Sequence, residues 1–174
     1  MSVDLDAQPV ELPWRAEPKF RCFGCSPDNP VGLALQLYRL ADGRIAGRST
    51  LGEDYASYPG IVHGGIINVL VDEVMGDLIA IERGMLAFCL TLRTKMLRPL
   101  RTGRPYLTAA RLTGENAGSL RTEADVLGDD GEVHVMASAT YQPIRSEQAQ
   151  SLMGLDDAEY DRLRHYFDHS IGLS

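Results

Sequence analysis

The longest apolar run of the chain covers residues 66–81. Aliphatic side chains occupy nearly every position of this run, which predicts a helix that is buried around most of its circumference. A His-Gly-Gly sequence stands directly before it. We therefore expect one long central helix at about residues 65–82.

Patterns typical of strands lie on both sides of this helix. Apolar and polar residues alternate in them with the period of two that a half-buried strand requires. Asp42 and Gly43 supply a hairpin turn between the first two strands. The expected strands cover residues 33–40, 44–51, 88–99, 105–113, 120–126 and 133–141. One face of the third is expected to carry Phe88, Leu90, Leu92, Thr94 and Met96.

This order of elements predicts an α+β fold. The four strands after the helix are joined by short turns, so we expect them to be consecutive antiparallel neighbours. A helix that is apolar nearly all round needs a surface that wraps it. A curved antiparallel sheet of about six strands around the central helix meets that need.

The two ends of the chain are predicted to lie outside the helix and sheet. Residues 1–20 contain three prolines and are expected to form an irregular leader, with residues 21–174 as a single domain. Asp156 and Glu159 have the spacing of a capping box, which predicts a short C-terminal helix with Tyr160, Leu163 and Phe167 on one side.

Composition narrows the class of protein. A chain of 174 residues is long enough for one globular domain. Asp72, Glu73 and Asp77 interrupt the apolar run, so no membrane span of about 20 residues is predicted. The first residues lack the pattern of a signal peptide. Three cysteines do not make a disulfide framework, and we expect a cytoplasmic protein.

The net charge of −7 argues against nucleic-acid binding, but the charge is unevenly distributed. Residues 84–113 contain no Asp or Glu, and this stretch with Arg83 holds seven of the 17 basic residues. A local cationic surface suits a small polyanion such as a phosphorylated cofactor or carrier. The alternative is a solvated sheet face whose acidic partners come from other segments.

Asp72 is the candidate reaction centre, because it places a carboxylate inside the most apolar stretch. Burying an ionised Asp there costs roughly several kcal/mol of stability unless a partner compensates for it. Otherwise the pKa of the carboxyl rises and the group becomes neutral. Gly65, Asn68, Asp72 and Gly76 follow one another at three- and four-residue spacing, which predicts a narrow stripe of small and polar residues. The alternative is a carboxylate satisfied by backbone donors of a neighbouring strand.

His63-Gly64-Gly65, with Asp72 nine residues after the histidine, resembles the hot-dog-fold acyl-CoA thioesterases. The resemblance is to the phenylacetate-pathway type and to the related THEM-type long-chain enzymes. Residues 22–33, Cys-Phe-Gly-Cys-Ser-Pro-Asp-Asn-Pro-Val-Gly-Leu, resemble a segment that precedes the fold in one bacterial branch of this superfamily. Arg98-Pro99, at the end of the strand after the helix, also resembles the superfamily. The match covers roughly residues 22–143.

The resemblance implies hydrolysis of an acyl-CoA thioester, with coenzyme A as part of the substrate and no retained cofactor or metal. Asp72 would be the nucleophile or general base, and the Gly65 N–H at the helix start would stabilise the oxyanion. His63 would position the substrate or support Asp72, and the alternative is that it bonds a loop or caps the helix. A homodimer or a dimer of dimers is expected, with sites at the subunit boundary. The expected substrate-binding residues are Gly64, Asn68, Glu73, Cys89, Thr91, Arg93, Lys95, Arg98 and Arg101.

Two of these residues depart from a simple assignment. Many relatives place Thr or Ser where this chain has Cys89, and a thiol is a weaker hydrogen-bond partner than a hydroxyl. Either Thr91, expected on the same strand face, holds the attacking water, or the water is held otherwise, or hydrolysis is slow. Glu73 is a minor rival to Asp72 as the catalytic acid. It points about 100° away and, with Asp77, is expected to face solvent or a subunit boundary.

Alternatives to hydrolysis stay open. A non-catalytic acyl-CoA or lipid-binding module is favoured by Cys89 at a hydroxyl position, and a dehydratase of the same fold is a second alternative. Cys22 and Cys25, together with His165 and His169, have the residue types of a structural zinc site. The two pairs lie almost a whole domain apart, so we expect both cysteines to pack without a metal.

Overall fold

The structure is a computed structural model that describes residues 7–16, 20–116 and 118–164. Within these residues, nine strands and three α-helices follow one another along the chain. Their bounds are β1 Gln8–Val10, β2 Gln36–Arg39, β3 Ile45–Thr50, β4 Ala56–Tyr58, β5 Ile61–Val62, α1 Gly64–Arg83, β6 Ala87–Met96, β7 Pro105–Asn116, β8 Ser119–Gly128, β9 Val133–Pro143, α2 Ser146–Met153 and α3 Asp157–Leu163.

Helix α1 confirms the prediction made from the apolar run. It begins after His63, whose side chain caps the first turn, and it ends at Gly84, whose φ of 63° is the left-handed conformation that glycine adopts most easily. The buried side chains of α1 are Ile67, Leu70, Val71, Val74, Met75, Asp77, Leu78, Ile79 and Ala80.

Seven of the strands form one antiparallel sheet in the order β1-β2-β3-β7-β8-β9-β6, and β4 and β5 form a separate ribbon. Helix α1 contacts β3, β7, β8, β9 and β6. Five strands about 4.8 Å apart span roughly twice the 10 Å diameter of a helix, so the sheet must curve around α1. The predicted α+β fold with a central helix is confirmed, and the main sheet has seven strands instead of about six.

The neighbour of β6 was predicted wrongly. β6 pairs with β9 along the far edge of the sheet, whereas β7 pairs with β3 and β8. Residues 97–104 carry the chain from one edge of the curved sheet to its middle. The predicted hairpins β2–β3, β7–β8 and β8–β9 are present. The rule that short connections join neighbouring strands thus predicted three pairs correctly. It failed for β6 and β7, which are not neighbours.

The leader is more ordered than predicted. β1 pairs with β2, and Leu12 and Trp14 are buried in the core. Pro9 is tolerated in β1 because this strand is at the edge of the sheet. The leader therefore covers the β2 side of the sheet.

Two helices follow β9 where one was predicted. The capping box of Asp156 and Glu159 begins α3, as expected, and Leu163 packs into the core. Phe167 lies outside the described residues. Among the helices of the described chain, none is long and apolar enough to cross a membrane.

Candidate active site

The predicted stripe on α1 reaches the protein surface. Asn68, Asp72 and Gly76 are half-buried and Gly65 is exposed, whereas Ile67, Leu70, Val71, Val74 and Met75 beside them are buried. A polar group on this stripe is therefore open to a ligand even though the helix is the core of the molecule. The stripe places Asp72 where a substrate can approach it.

The His63 side chain caps the N-terminus of α1. The Gly65 N–H donates to Nδ1 of His63 over 2.8 Å, and the N–H groups of Ile66 and Ile67 donate to the His63 carbonyl. The Asn68 amide donates to the Gly64 carbonyl over 2.9 Å. Gly64 lies against β6, since a Cβ there would come within 3.2 Å of Met96 Cε. The donor predicted to bind the oxyanion is thus engaged by His63.

Replacing His63 with alanine is expected to destabilise the fold by about 1 kcal/mol, because the side chain that accepts from the first turn is lost. Asparagine is a favourable N-cap residue, so His63→Asn is expected to restore most of that stability. Urea unfolding of the two variants measures the difference. Equal destabilisation by alanine and asparagine would show that the cap does not matter.

One protonated donor holds the Asp72 carboxylate, and a second protonated group lies close to it. The Tyr141 hydroxyl donates to Asp72 Oδ1 over 2.7 Å and also contacts the Asp72 carbonyl at 3.1 Å. The Cys89 thiol lies close enough for the charge of Asp72 to act on it. Burial, followed by the charge of Asp72, raises the pKa of Cys89 to about 11 and raises that of Tyr141 further above its usual value. Both groups therefore keep their protons at neutral pH, and Tyr141 orients the carboxylate.

Tyr141 is the site residue that the sequence did not reveal. It ends the inward face of β9, and a buried tyrosine hydroxyl needs a hydrogen-bond partner. That requirement was a usable signal. The partner was not predictable, because it depends on the pairing of β9 with β6 and on the packing of both strands against α1.

A bulge in β6 changes which side chains share a face. Cys89 pairs with Tyr141 and Thr91 pairs with Thr140, so Leu90 is an extra residue between them. Cross-strand partners point to the same side of a sheet, which puts Cys89 on the inner face with Tyr141 and Thr91 on the outer face with Thr140. The prediction that Thr91 shares the face of Cys89 is wrong, and Phe88 and Leu90 do not share the face of Leu92.

Glu73 and Asp77 were predicted to face solvent or a subunit boundary, and exposure to solvent is wrong for Asp77, which is buried, while Glu73 is half-buried. The loop just after the leader folds over their side of α1 and brings Cys22 Sγ to 3.2 and 3.3 Å from the two carboxylate oxygens of Glu73. Asp77 is only 8% exposed. Glu73 therefore lies beside Cys22 and away from the stripe that carries Asp72.

Cys22, Cys25, Glu73 and Asp77 form a group that we call the leader cluster, because its two cysteines lie just after the leader. The pKa values of these four side chains are strongly shifted. Burial, reinforced by the charge of Cys22, raises the pKa of Glu73 to about 8. Burial and the charge of Glu73 raise the pKa of Asp77 well above its usual range. A hydrogen bond from Cys25 lowers the pKa of Cys22 to about 5, and the same bond raises the pKa of Cys25. These four groups cannot all be ionised without a positive charge among them.

The basic residues are spread over the outer surface. Arg93 and Lys95 pair with Ser138 and Met136 of β9, and they line an open cavity of about 420 Å³ on the sheet face away from α1. Glu123 and Asp125 line it too, so its charge is mixed. The alternative of acidic partners from other segments holds for three arginines. Their ion pairs are Arg83–Glu115, Arg98–Glu132 and Arg111–Glu123.

In one chain, the structure thus brings together only some of the predicted residues. Asp72 and Cys89 lie close together, and His63, Gly64, Gly65 and Asn68 lie on the same helix at its start. Arg101 is exposed, and its N–H donates to the Tyr106 hydroxyl. Glu73, Thr91, Arg93 and Lys95 face elsewhere. His165 and His169 lie outside the described residues.

Comparison with known proteins gives a likeness of structure. No protein-family model matches the chain, and no curated protein matches its sequence. A solved thioesterase superfamily protein is 29% identical over 67% of this chain with a TM-score of 0.63, and the chain spans 57% of that protein's length.

Two further solved structures have lower identity. A Bacillus halodurans protein solved with CoA is 23% identical, with 65% of this chain and 76% of that one covered and a TM-score of 0.59. A phenylacetic acid degradation-related protein from Ralstonia eutropha is 22% identical, with coverage of 63% and 85% and a TM-score of 0.57. The predicted resemblance to the hot-dog thioesterase superfamily is confirmed by these neighbours, whose fold the chain shares.

Proposed function

We propose that this protein hydrolyses an acyl-CoA thioester to the free acid and coenzyme A. The observation that carries the proposal is the Asp72 carboxylate, which stands on the open stripe of α1 with its Oδ1 held by Tyr141. The fold is that of thioesterase superfamily proteins. One neighbour with the same fold was solved with CoA, which supports a CoA thioester as the substrate class.

In this proposal Asp72 acts in one of two ways. As a general base it takes a proton from water, whose oxygen attacks the thioester carbon. As a nucleophile it attacks that carbon itself, and water then hydrolyses the acyl-aspartyl intermediate. In both routes the carbon–sulfur bond breaks and coenzyme A leaves as the thiol. Tyr141 fixes the direction in which the carboxylate presents its free lone pairs.

The oxyanion that forms needs donors at the start of α1. Gly64 and Gly65 lie there, where the helix dipole favours negative charge. The Gly65 N–H serves this purpose when the substrate carbonyl displaces Nδ1 of His63. Each well-placed donor contributes about 3 kcal/mol to the stability of the transition state. Asn68, bonded to the Gly64 carbonyl, holds the first turn in place.

Arg93, Lys95, Arg98 and Arg101 are proposed to meet the phosphates of coenzyme A. Within one chain, Arg93 and Lys95 lie across the sheet from Asp72. The ligand therefore has to run over the edge at β6, or these side chains have to come from a second subunit. Both routes place β6 at the boundary of the site.

The free edge of β6 supports a homo-oligomer. β6 is the last strand of the sheet, and its unpaired backbone groups offer a template for a second strand. Large apolar side chains beside this edge are exposed, which is unusual for a solvated surface. They are Phe88, Leu90, Met96 and Leu97. We propose that two copies join along β6.

Replacing Leu90 with lysine is expected to reduce the mass in solution to that of one chain, because the substitution places a charge in the proposed interface. Light scattering coupled to size-exclusion chromatography measures the mass. Leu152→Lys is the matched control, since Leu152 is 60% exposed and belongs to α2, outside the β6 strand. An unchanged mass for Leu90→Lys would exclude this edge as the interface.

A panel of acyl-CoA thioesters with detection of the released thiol tests the proposed activity. The expected result is catalytic release of coenzyme A from at least one straight-chain or aromatic thioester. A binding module of the same fold is the second candidate, because the Cys89 thiol is a weaker hydrogen-bond partner than a hydroxyl. Saturable binding of acyl-CoA without thiol release from any thioester would favour the module.

A dehydratase has less support from the geometry. That chemistry needs a histidine and an acid on opposite sides of the substrate, and His63 caps the helix that carries Asp72. Formation of a double bond from a hydroxyacyl-CoA, without thiol release, would favour the dehydratase. The cytoplasmic location stays a prediction from the cysteines.

A further inference from the structure

The leader cluster has no part in the proposed hydrolysis, yet it concentrates metal-ligating atoms. Cys22 Sγ, Cys25 Sγ and a carboxylate oxygen of Glu73 all lie within 4.8 Å of one another. Ligands of a tetrahedral zinc ion, with bonds of about 2.0–2.3 Å, lie roughly 3.3–3.8 Å apart. Small side-chain rotations therefore suffice to close these three atoms around one ion.

Asp77 is the candidate for a fourth ligand, although its carboxylate is not one of the three groups that lie within 4.8 Å of one another. It lies one helical turn after Glu73, so both carboxylates project from the same face of α1. Its Oδ2 is buried and has no hydrogen-bond partner, and the charge of Glu73 acts on the carboxyl group. A buried carboxylate oxygen without a partner is costly, and a cation at this position removes that cost. The orphan oxygen points to a missing ligand in the cluster.

The loop of residues 22–25 is shaped to present two sulfur atoms. Cys22 Sγ accepts from the Gly24 N–H over 3.3 Å. Backbone donors of this kind stabilise a thiolate. A Cβ on Gly24 would lie 2.2 Å from Glu73 Cδ, so only glycine lets the loop approach the carboxylate so closely. The loop and the helix fit each other at the cluster.

We propose that Cys22, Cys25, Glu73 and Asp77 bind one zinc ion that links the loop of residues 22–25 to α1. Two thiolates with two carboxylates are a ligand set that suits Zn²⁺ better than the hard ions Mg²⁺ and Ca²⁺, which prefer oxygen alone. Four protein ligands close the coordination sphere, so the site is structural and leaves no position for a substrate. The histidines considered from the sequence are not needed.

The ion would offset part of the charge of the cluster. Two thiolates and two carboxylates carry four negative charges in a mostly buried space, and Arg15 of the leader is a cation that acts on Asp77. A divalent ion offsets half of that charge at its centre. It also links residues that are about 50 positions apart in the chain, which constrains the unfolded chain and stabilises the native one.

Metal analysis of the full chain tests the proposal. The protein is produced in zinc-supplemented medium, purified without a chelator and measured by plasma mass spectrometry. About one zinc per chain is expected. Cys22→Ser and Asp77→Asn are expected to fall below about 0.2 zinc per chain. Cys89→Ser, which changes the third cysteine, is the control and is expected to keep its zinc.

Two measurements on the unaltered chain avoid any dependence on how the variants fold. Replacement of zinc by Co²⁺ is expected to give a thiolate-to-cobalt charge-transfer absorption. Removal of the metal by a chelator is expected to lower Tm by about 5 °C or more. Less than about 0.1 metal per chain after incubation with zinc, without a cobalt charge-transfer band, would overturn the proposal. A Cys22–Cys25 disulfide in freshly purified protein, or equal zinc loss in Cys89→Ser, would overturn it as well.

Discussion

Replacing Asp72 with asparagine is expected to lower kcat for acyl-CoA hydrolysis by roughly 10³-fold. The amide keeps the size of the side chain and still accepts from the Tyr141 hydroxyl, but it cannot attack a thioester or take a proton from water. A loss of this size corresponds to about 4 kcal/mol of transition-state stabilisation. Steady-state kinetics on the best thioester of the panel measure it.

The fold is expected to tolerate the Asp72→Asn change. Asp72 is half-buried on the open stripe, and its packing neighbours on α1 remain unaltered. The free energy of unfolding should therefore stay within about 1 kcal/mol of the parent value. A kcat within threefold of the parent, in a variant with normal stability and mass, would remove Asp72 from the reaction.

Replacing Tyr141 with phenylalanine is expected to lower kcat by roughly 10- to 100-fold with little change in KM. The change removes the 2.7 Å hydrogen bond to Asp72 Oδ1, and a hydrogen bond to a charged group is worth about 1.5–3 kcal/mol. Tyr141 acts through Asp72 as a positioning residue, so substrate affinity should be nearly unaffected. Separate determination of kcat and KM distinguishes this effect from general damage to the fold.

Tyr55→Phe is the matched control for Tyr141→Phe. The Tyr55 hydroxyl donates over 2.8 Å to the Gly32 carbonyl and not to Asp72. Both substitutions remove one hydroxyl, so Tyr55→Phe should cost about 1 kcal/mol of stability and Tyr141→Phe about 1.5–3 kcal/mol. If the two variants lost activity equally, or if Tyr141→Phe raised KM alone, the positioning role of Tyr141 would be wrong.

Local patterns predicted the parts of the fold that depend on local contacts. The apolar run gave α1 within one residue at each end, because a helix that is buried all round leaves a clear mark in the sequence. The Asp42–Gly43 turn and the capping box of Asp156 and Glu159 were also predicted correctly. In each case the signal and the structure it specifies lie within a few residues.

Errors arose where distant segments meet. The pairing of β6 with β9, and the bulge that turns Thr91 outward, depend on how a curved sheet closes around α1. The surroundings of Glu73 and Asp77 depend on a loop about 50 residues earlier in the chain. Tyr141 was missed for the same reason. Periodicity shows that a side chain points inward, but it does not show which distant group meets it.

The proposed role of Asp72 is tested by the rate of thiol release from three proteins, each saturated with the same acyl-CoA. They are the parent chain, Asp72→Asn and Glu82→Gln, a control at the far end of α1 where Glu82 pairs with Arg39. We predict equal rates for the parent and Glu82→Gln and a rate roughly 10³-fold lower for Asp72→Asn. Thiol release by Asp72→Asn at the parent rate would contradict the account.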